Sequence, residues 1–470
     1  MVRQPLIALS FLALAALPTW AASPEGDLPR KATLGVDLRM ERGVVVVERI
    51  HAGSTAADGG LRSGDTIVAL AGQPIPDIPR LVTAVGALAA GARVEITLLR
   101  DGQPVTRTLT LKERPRDRGD TFQVLYKHVV SRGVRLRTIV TRPHAPGRHP
   151  VLFLIPGLGA VSLDQPLDGP GAYSRILRAF AAAGYVTVRV EKPGIGDSEG
   201  GPYADTDFDT ELDGLRQALI AVRGDAFVDP DQIFVFGHSM GGVFGPALAI
   251  ERPVKGVAVY GTVVKTTTEY FLENWRRQAG LGGSDAAAVD STVRDLAAAL
   301  HPLLVERKTP DEVLAAAPHL RPLLARLMPD GRIDGRALPF WTQLAATNLP
   351  ALWSRGAGHV LAIWGRNDFI ASEGDHPLIA QIVNAARPGM ATYVALDGAD
   401  HGFRKTASPE DSFRRWRSPG GRCTRARPIS PRSSTTRRRC STPACTSRST
   451  SCSSRTGQRA RAIPAKRCKG

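Results

Sequence analysis

The sequence predicts an α/β architecture for its larger part, a mostly parallel sheet covered by helices on both faces, preceded by a small, mostly β domain. Three observations carry this. Apolar runs at 151–155, 185–190, 233–236, 254–260, 359–364 and 392–396 alternate with helical periodicities such as 173–183 and 209–222, and continuous apolar strands of this kind are buried on both faces. The segment 32–113 instead sets short β-type runs, among them Gly43-Val44-Val45-Val46-Val47, between glycine turns. A Gly-x-Ser-x-Gly turn, Gly237-His238-Ser239-Met240-Gly241, stands between an apolar strand and the helix-like stretch 243–250.

With 470 residues and 43% hydrophobic content, the chain is long enough for two domains with real cores. The formal charge of +17 sits in one place. Seventeen of the 61 basic residues lie in 414–470, where there is no acid, so 44 Lys and Arg face 44 Asp and Glu in the rest. A neutral body without interleaved basic and aromatic residues predicts no nucleic-acid partner. All five cysteines, Cys423, Cys440, Cys445, Cys452 and Cys468, share that tail. Their odd number and irregular spacing describe neither a zinc site nor a disulfide framework. Neither a metal nor an organic cofactor is implied.

Arg3, the apolar run 6–17, Pro18 and the small residues Ala21-Ala22-Ser23 read as a signal peptide over residues 1–22, hence an exported, periplasmic or secreted protein, the alternative being an uncleaved amphiphilic anchor. The run is too short to span a bilayer comfortably, and no later run is long enough, so no transmembrane segment is expected after its removal.

In 31–113, Leu34-Gly35-Val36, Gly53-Ser54-Thr55-Ala56-Ala57 and Gly60-Leu61-Arg62-Ser63-Gly64-Asp65-Thr66-Ile67, with Gly72, Gly91 and Arg100-Asp101-Gly102, resemble a bacterial PDZ domain. The resemblance implies that a peptide or protein C-terminus adds as an extra strand, its carboxylate held by the Leu34-Gly35-Val36 loop. A helix over 79–90, with Ile78, Leu81, Val82 and Val85 on its apolar side, would close that groove. The alternative is that these side chains are only the core of a domain that binds nothing.

The second domain, 121–413, opens with a hairpin at 123–130 and 134–141. In the Gly-x-Ser-x-Gly turn, flanking glycines allow a strand-to-helix bend so tight that it exposes Ser239. A serine needs a base to take its proton and a carboxylate to hold that base. Asp368 follows a strand and the turn Gly365-Arg366-Asn367, and His401 follows the last strand, so the chain order is Ser, Asp, His. Asp397, Asp400 and the pair Asp375-His376 are rivals, read as loop or helix-start residues. The N–H groups of Leu158, in Pro156-Gly157-Leu158-Gly159, and of Met240 are the candidate oxyanion donors. These landmarks, with Arg189-Val190-Glu191-Lys192-Pro193-Gly194-Ile195-Gly196-Asp197-Ser198, resemble the α/β-hydrolase superfamily, and within it esterase and acyl-aminopeptidase-like members. The resemblance implies a serine hydrolase fold and catalytic residues Ser239, Asp368 and His401.

An insert at 263–358, rich in helical stretches, would form a cap. Phe271, Trp275, Leu323, Leu327, Phe340 and Trp341 would line an acyl pocket or, at this spacing, build the cap's own core, the reading preferred here. The segment 414–470 is a basic tail that from about 422 becomes Arg, Ser, Thr, Pro and Cys, with no closing helix of the kind such a fold normally has beyond Trp416, either a basic arm or the product of a reading-frame change. The frame change accounts better for the abrupt switch in composition. The leading expectation is hydrolysis of a small ester or related acyl substrate. A peptidase that uses the first domain for recognition, and a non-catalytic peptide-binding protein, are the alternatives.

Overall fold

The computed structural model describes residues 28–417 apart from 42, 168 and 357. The leader expected at 1–22 and the tail beyond Arg417 lie outside the described residues.

The first domain comprises β1 (Ala32–Thr33), β2 (Val36–Glu41), β3 (Val44–Ile50), α1 (Thr55–Asp58), β4 (Thr66–Leu70), β5 (Gln73–Pro74), α2 (Ile78–Gly86), β6 (Arg93–Arg100), β7 (Gln103–Thr110) and β8 (Lys112–Glu113). The order β2-β3-β4-β6-β7 makes an antiparallel sheet, with β5 against β4, and β2 is an edge. Where the chain enters and leaves, β1 pairs with β8. Alternation buries Val94, Ile96 and Leu98 of β6 against Val45, Val47 and Ile67. Asp65 caps its turn by accepting from the Arg62 N–H at 2.8 Å and pairs with Arg100.

The helix expected over 79–90 is shorter and differently turned. The Asp77 side chain caps it by accepting from the Arg80 N–H at 2.7 Å, and it ends at Gly86. Leu81 and Val85, four residues apart on one face, point into the core, while Val82 is 60% exposed.

The second domain comprises β9 (Phe122–Ser131), β10 (Val134–Pro143), β11 (His149–Ile155), α3 (Ala172–Ala182), β12 (Val186–Val190), α4 (Phe208–Arg223), β13 (Val228–His238), α5 (Gly241–Glu251) and β14 (Gly256–Tyr260). Six helices then intervene: α6 (Thr267–Leu281), α7 (Ala286–Leu304), α8 (Pro310–Ala316), α9 (Arg321–Leu327), α10 (Leu338–Ala346) and α11 (Leu349–Arg355). The domain resumes with β15 (His359–Gly365), α12 (Asp375–Ala386), β16 (Ala391–Leu396) and α13 (Pro409–Arg417). Its sheet runs β16-β15-β14-β13-β11-β12-β10-β9, parallel except for the antiparallel pairs β9–β10 and β10–β12. The β11 run Val151–Ile155 is buried throughout, as a central strand must be. Thr266 with Glu269, and Thr309 with Glu312, form capping boxes that start α6 and α8. Phe271, Trp275, Leu323, Leu327, Phe340 and Trp341 are all buried in the main core.

The second domain, expected to end at 413, runs on through α13 to Arg417. The Ser408 hydroxyl caps α13 by accepting from the Asp411 N–H at 3.2 Å, and the helix carries Trp416 onto Phe369, ring centroids 5.7 Å apart.

The connectors to the first domain are clamped by buried charge. Arg30 Nη1 lies 2.5 Å from both Asp164 and Asp197, and its guanidinium covers the Tyr126 ring at 4.3 Å. On the outgoing side Arg114 donates to the Ser162 hydroxyl at 2.6 Å.

Candidate active site

The turn after β13 is as tight as its glycines suggest. A Cβ on Gly237 would lie 2.4 Å from the Gly241 carbonyl oxygen, and one on Gly241 would lie 2.2 Å from that of Ile155. Ser239, between them, has φ +54°, a left-handed conformation that costs an ordinary residue roughly 1–2 kcal/mol. Its N–H donates to the Tyr260 carbonyl at 2.9 Å and its side chain is half-buried.

Asp368 and His401 meet on the other side of Tyr260. Asp368 Oδ2 lies 2.7 Å from His401 Nδ1, while Oδ1 accepts from the N–H groups of Ile370 and Ala371 at 2.8 and 2.9 Å. Burial pushes this carboxyl up, but His401 and the two N–H groups outweigh it and hold it below its ordinary value. An ionised carboxylate only accepts, so His401 Nδ1 carries a proton directed at Asp368. Gly261, next to Tyr260, faces both partners. Among the described residues no hydrogen bond joins the Ser239 hydroxyl to His401.

The rival acids are occupied elsewhere. Asp397 is exposed beside Arg366. Asp400 is fully buried and accepts from the Gly402 and Arg404 N–H groups, the Ser412 hydroxyl and the Trp416 indole, holding the loop that carries His401. Asp375 accepts from the Val264 and Lys265 N–H groups, and His376 from that of Thr262.

The candidate oxyanion donors lie at the mouth of the same turn. Among the described residues neither the Leu158 N–H nor the Met240 N–H donates to a protein acceptor. Gly157 stands against the serine, since a Cβ there would lie 3.2 Å from Ser239 Cβ. Its N–H donates to the Tyr173 hydroxyl at 3.2 Å. That hydroxyl donates to His238 Nδ1 at 2.6 Å, and His238 Nε2 donates to the His401 carbonyl at 2.8 Å. The carbonyl fixes this tautomer, because it can only accept. Burial, with His401 adding to it, pushes the His238 ring down to about 3, so it stays neutral. Sequence reasoning passed over Tyr173 and His238. The only signal was a histidine inside the Gly-x-Ser-x-Gly turn, which has no stated role there.

In the first domain Leu34 is buried, and Gly35 has φ +68° with its carbonyl accepting from the His51 N–H at 3.0 Å. Val36 begins the edge strand β2. No group of three or more metal-ligating side chains occurs among the described residues, and no described helix is long and apolar enough to cross a membrane.

A family model described as PDZ domain matches residues 32–111, and one described as serine aminopeptidase, S33, matches residues 168–317. The second match covers the turn that carries Ser239, and the strand order supplies the rest of that fold. The chain has an α/β-hydrolase fold behind a PDZ domain. This PDZ–hydrolase chain is 32% identical over 78 residues to the periplasmic serine endoprotease DegP of Salmonella typhimurium, a stretch that is 17% of this chain and 16% of that one. A probable periplasmic serine endoprotease, DegP-like, of Pseudomonas fluorescens is 41% identical over 130 residues, 27% of this chain and 26% of the relative. The chain thus spans about a quarter or less of these curated relatives. Solved structures similar to it include the α/β hydrolase GrgF from Penicillium, 19% identical with TM-score 0.39, and the ferulic-acid complex of Est1E from Butyrivibrio proteoclasticus, 15% identical with TM-score 0.40. Each covers 59% of this chain and 91% of its own.

Proposed function

We propose that this chain is an exported serine hydrolase that cleaves carboxylic esters or related acyl compounds through an acyl-Ser239 intermediate. The observation that carries the reading is the buried 2.7 Å pair of His401 Nδ1 and Asp368, together with the left-handed backbone that Ser239 adopts between its glycines. His401 Nε2 takes the Ser239 proton as the hydroxyl attacks the acyl carbon. The N–H groups of Leu158 and Met240 receive the negative oxygen. The imidazolium then gives its proton to the leaving group, and water, activated by the same nitrogen, releases the acid. Asp368 keeps the ring oriented throughout. The proposed organisation is a leader at 1–22, a PDZ domain at 31–113, the hydrolase from 121 through α13, and the insert 263–358 as a cap over the site. The PDZ domain would take a peptide C-terminus along β2, with Val82 as part of the groove wall.

A serine peptidase is the second reading, favoured by the match to the serine aminopeptidase model and by a domain suited to peptides. Comparing wild type with Ser239→Ala on p-nitrophenyl esters of graded acyl length and on amino-acid anilides separates the two. Ester turnover abolished by the substitution supports the esterase, turnover of anilides alone supports the peptidase, and inactivity of wild type on both sinks the hydrolase reading for these substrates.

A further inference from the structure

Beside the Gly157–Leu158 turn lies a buried group of charges that the reaction above does not use. Lys192, two residues beyond β12 and 5% exposed, directs its ammonium to three oxygens: the Gly157 carbonyl at 2.6 Å, Glu211 Oε1 at 2.8 Å and the Tyr203 hydroxyl at 3.1 Å. The Tyr203 hydroxyl itself donates a hydrogen bond to the Leu158 carbonyl. The Tyr203 oxygen also accepts from Arg336, whose Nη1 reaches Glu211 at 2.8 Å and whose Nη2 reaches the Thr206 carbonyl at 2.7 Å. Arg336 comes from the helical insert and is 1% exposed. Dehydrating two cations and a carboxylate is costly, and a well-packed apolar group would often serve stability as well. What this group does here is grip two successive backbone carbonyls, that of Gly157 through Lys192 and that of Leu158 through the Tyr203 hydroxyl.

The direction of that grip matters. A trans peptide is planar, so the Gly157 C=O and the Leu158 N–H, which belong to one peptide unit, point in opposite directions. A Gly157 carbonyl drawn onto Lys192 turns the Leu158 N–H the other way, and among the described residues that N–H has no protein acceptor. The preceding N–H of Gly157 is already held by Tyr173, so the turn is fixed at both ends.

We propose that Lys192 and Tyr203 are positioning residues that aim the Leu158 N–H at the oxyanion, and that Arg336 couples the insert to this alignment through Glu211 and Tyr203. The inference rests on the serine-hydrolase reading and deepens it. It makes the insert a support for the transition state as well as a cover.

The test uses the full chain with Tyr203→Phe, which removes one hydroxyl and keeps the ring, and Lys192→Met. kcat and KM for p-nitrophenyl acetate are measured per active site, counted with a fluorophosphonate, together with the Ki of an alkyl trifluoromethyl ketone, whose serine adduct places an oxyanion in the site. Losing an oxyanion donor outright lowers kcat about 100- to 1000-fold. Misaiming one lowers it by less, so the expected loss is roughly 10-fold for Tyr203→Phe and roughly 100-fold for Lys192→Met, on that scale. KM stays nearly constant and the ketone weakens by the same factors. If Tyr203→Phe keeps wild-type kcat per titrated site and wild-type ketone affinity, losing only thermal stability or active fraction, the proposal is overturned, whether or not Lys192→Met folds. Ester turnover that survives Ser239→Ala is a separate result and removes the underlying hydrolase reading instead.

Discussion

Replacing Gly261 by alanine puts a methyl group where the acid and the base meet. Its Cβ would stand 2.9 Å from Asp368 Oδ2 and 2.9 Å from His401 Nδ1, closer than carbon atoms approach such neighbours. Neither partner can yield freely, because Asp368 is anchored by the Ile370 and Ala371 N–H groups and the His401 backbone by His238. The φ of +61° adds strain of roughly 1–2 kcal/mol for a residue with a side chain. The 2.7 Å bond between the pair must therefore lengthen and the imidazole turn. A displacement of about 1 Å in a catalytic group costs roughly 100-fold in rate, which is about 2.7 kcal/mol of barrier. The expected result is a kcat for p-nitrophenyl acetate lowered about 100-fold, on the scale of such displacements, with KM little changed and a near-UV circular dichroism spectrum like that of wild type. A folded Gly261→Ala protein with kcat within about threefold of wild type, far short of that loss, would refute the assignment of Asp368 and His401 as the working pair.

Arg30→Ala should lower the unfolding free energy by roughly 3–5 kcal/mol in urea titrations, because it strips two buried carboxylates of a shared partner; a loss under about 1 kcal/mol, typical of exposed pairs, would contradict that account. The depressed His238 value of about 3 makes the unfolded chain, with its ordinary value near 6.5, the better proton binder between the two. Stability is therefore full above that ordinary value and falls as the pH drops, by roughly 3 kcal/mol at pH 4 from this group. Asp368, held low in the folded state, adds a further loss below the ordinary carboxylate range. His238→Gln should flatten this acid limb in urea unfolding followed from pH 7 to 4, and an identical slope would count against it. Val82→Glu, on an exposed α2 side chain, should weaken binding of apolar C-terminal peptides in calorimetry about tenfold or more, as burying an unpaired charge demands, while leaving the melting temperature within a degree or two; unchanged affinity would move the groove elsewhere.

The fold and the site were legible in the sequence to different depths. Buried parallel strands announce themselves as apolar runs, and the serine turn by glycines whose places no other residue can take, so β11, β13 and Ser239 could be read directly. The helix α2 was readable as an element but not in orientation, because Leu81, Val82 and Val85 are equally apolar and only packing shows which face the core. The end at 413 was misplaced for a related reason. Arg414, Arg415 and Arg417 look like the start of the basic tail, yet they lie on the solvent side of a helix whose Phe413 and Trp416 complete the packing beside Phe369 and His401. Tyr173, Lys192, Tyr203 and Arg336 were invisible as a set, since they gather around Gly157 from distant parts of the chain and no local spacing records it.

The clamp at Arg30 redraws the order of the parts. Leu28 and Arg30 are buried against Arg137, Asp164 and Asp197 of the second domain, so residues 28–31 are its outlying first piece. The PDZ domain is then a branch inserted between residue 31 and Arg114, with both stems rooted in the stretch that leads away from Leu158. A fragment starting at 121 would lack the chain that fills this buried charged site, and a pull on either stem would arrive within a few residues of Leu158.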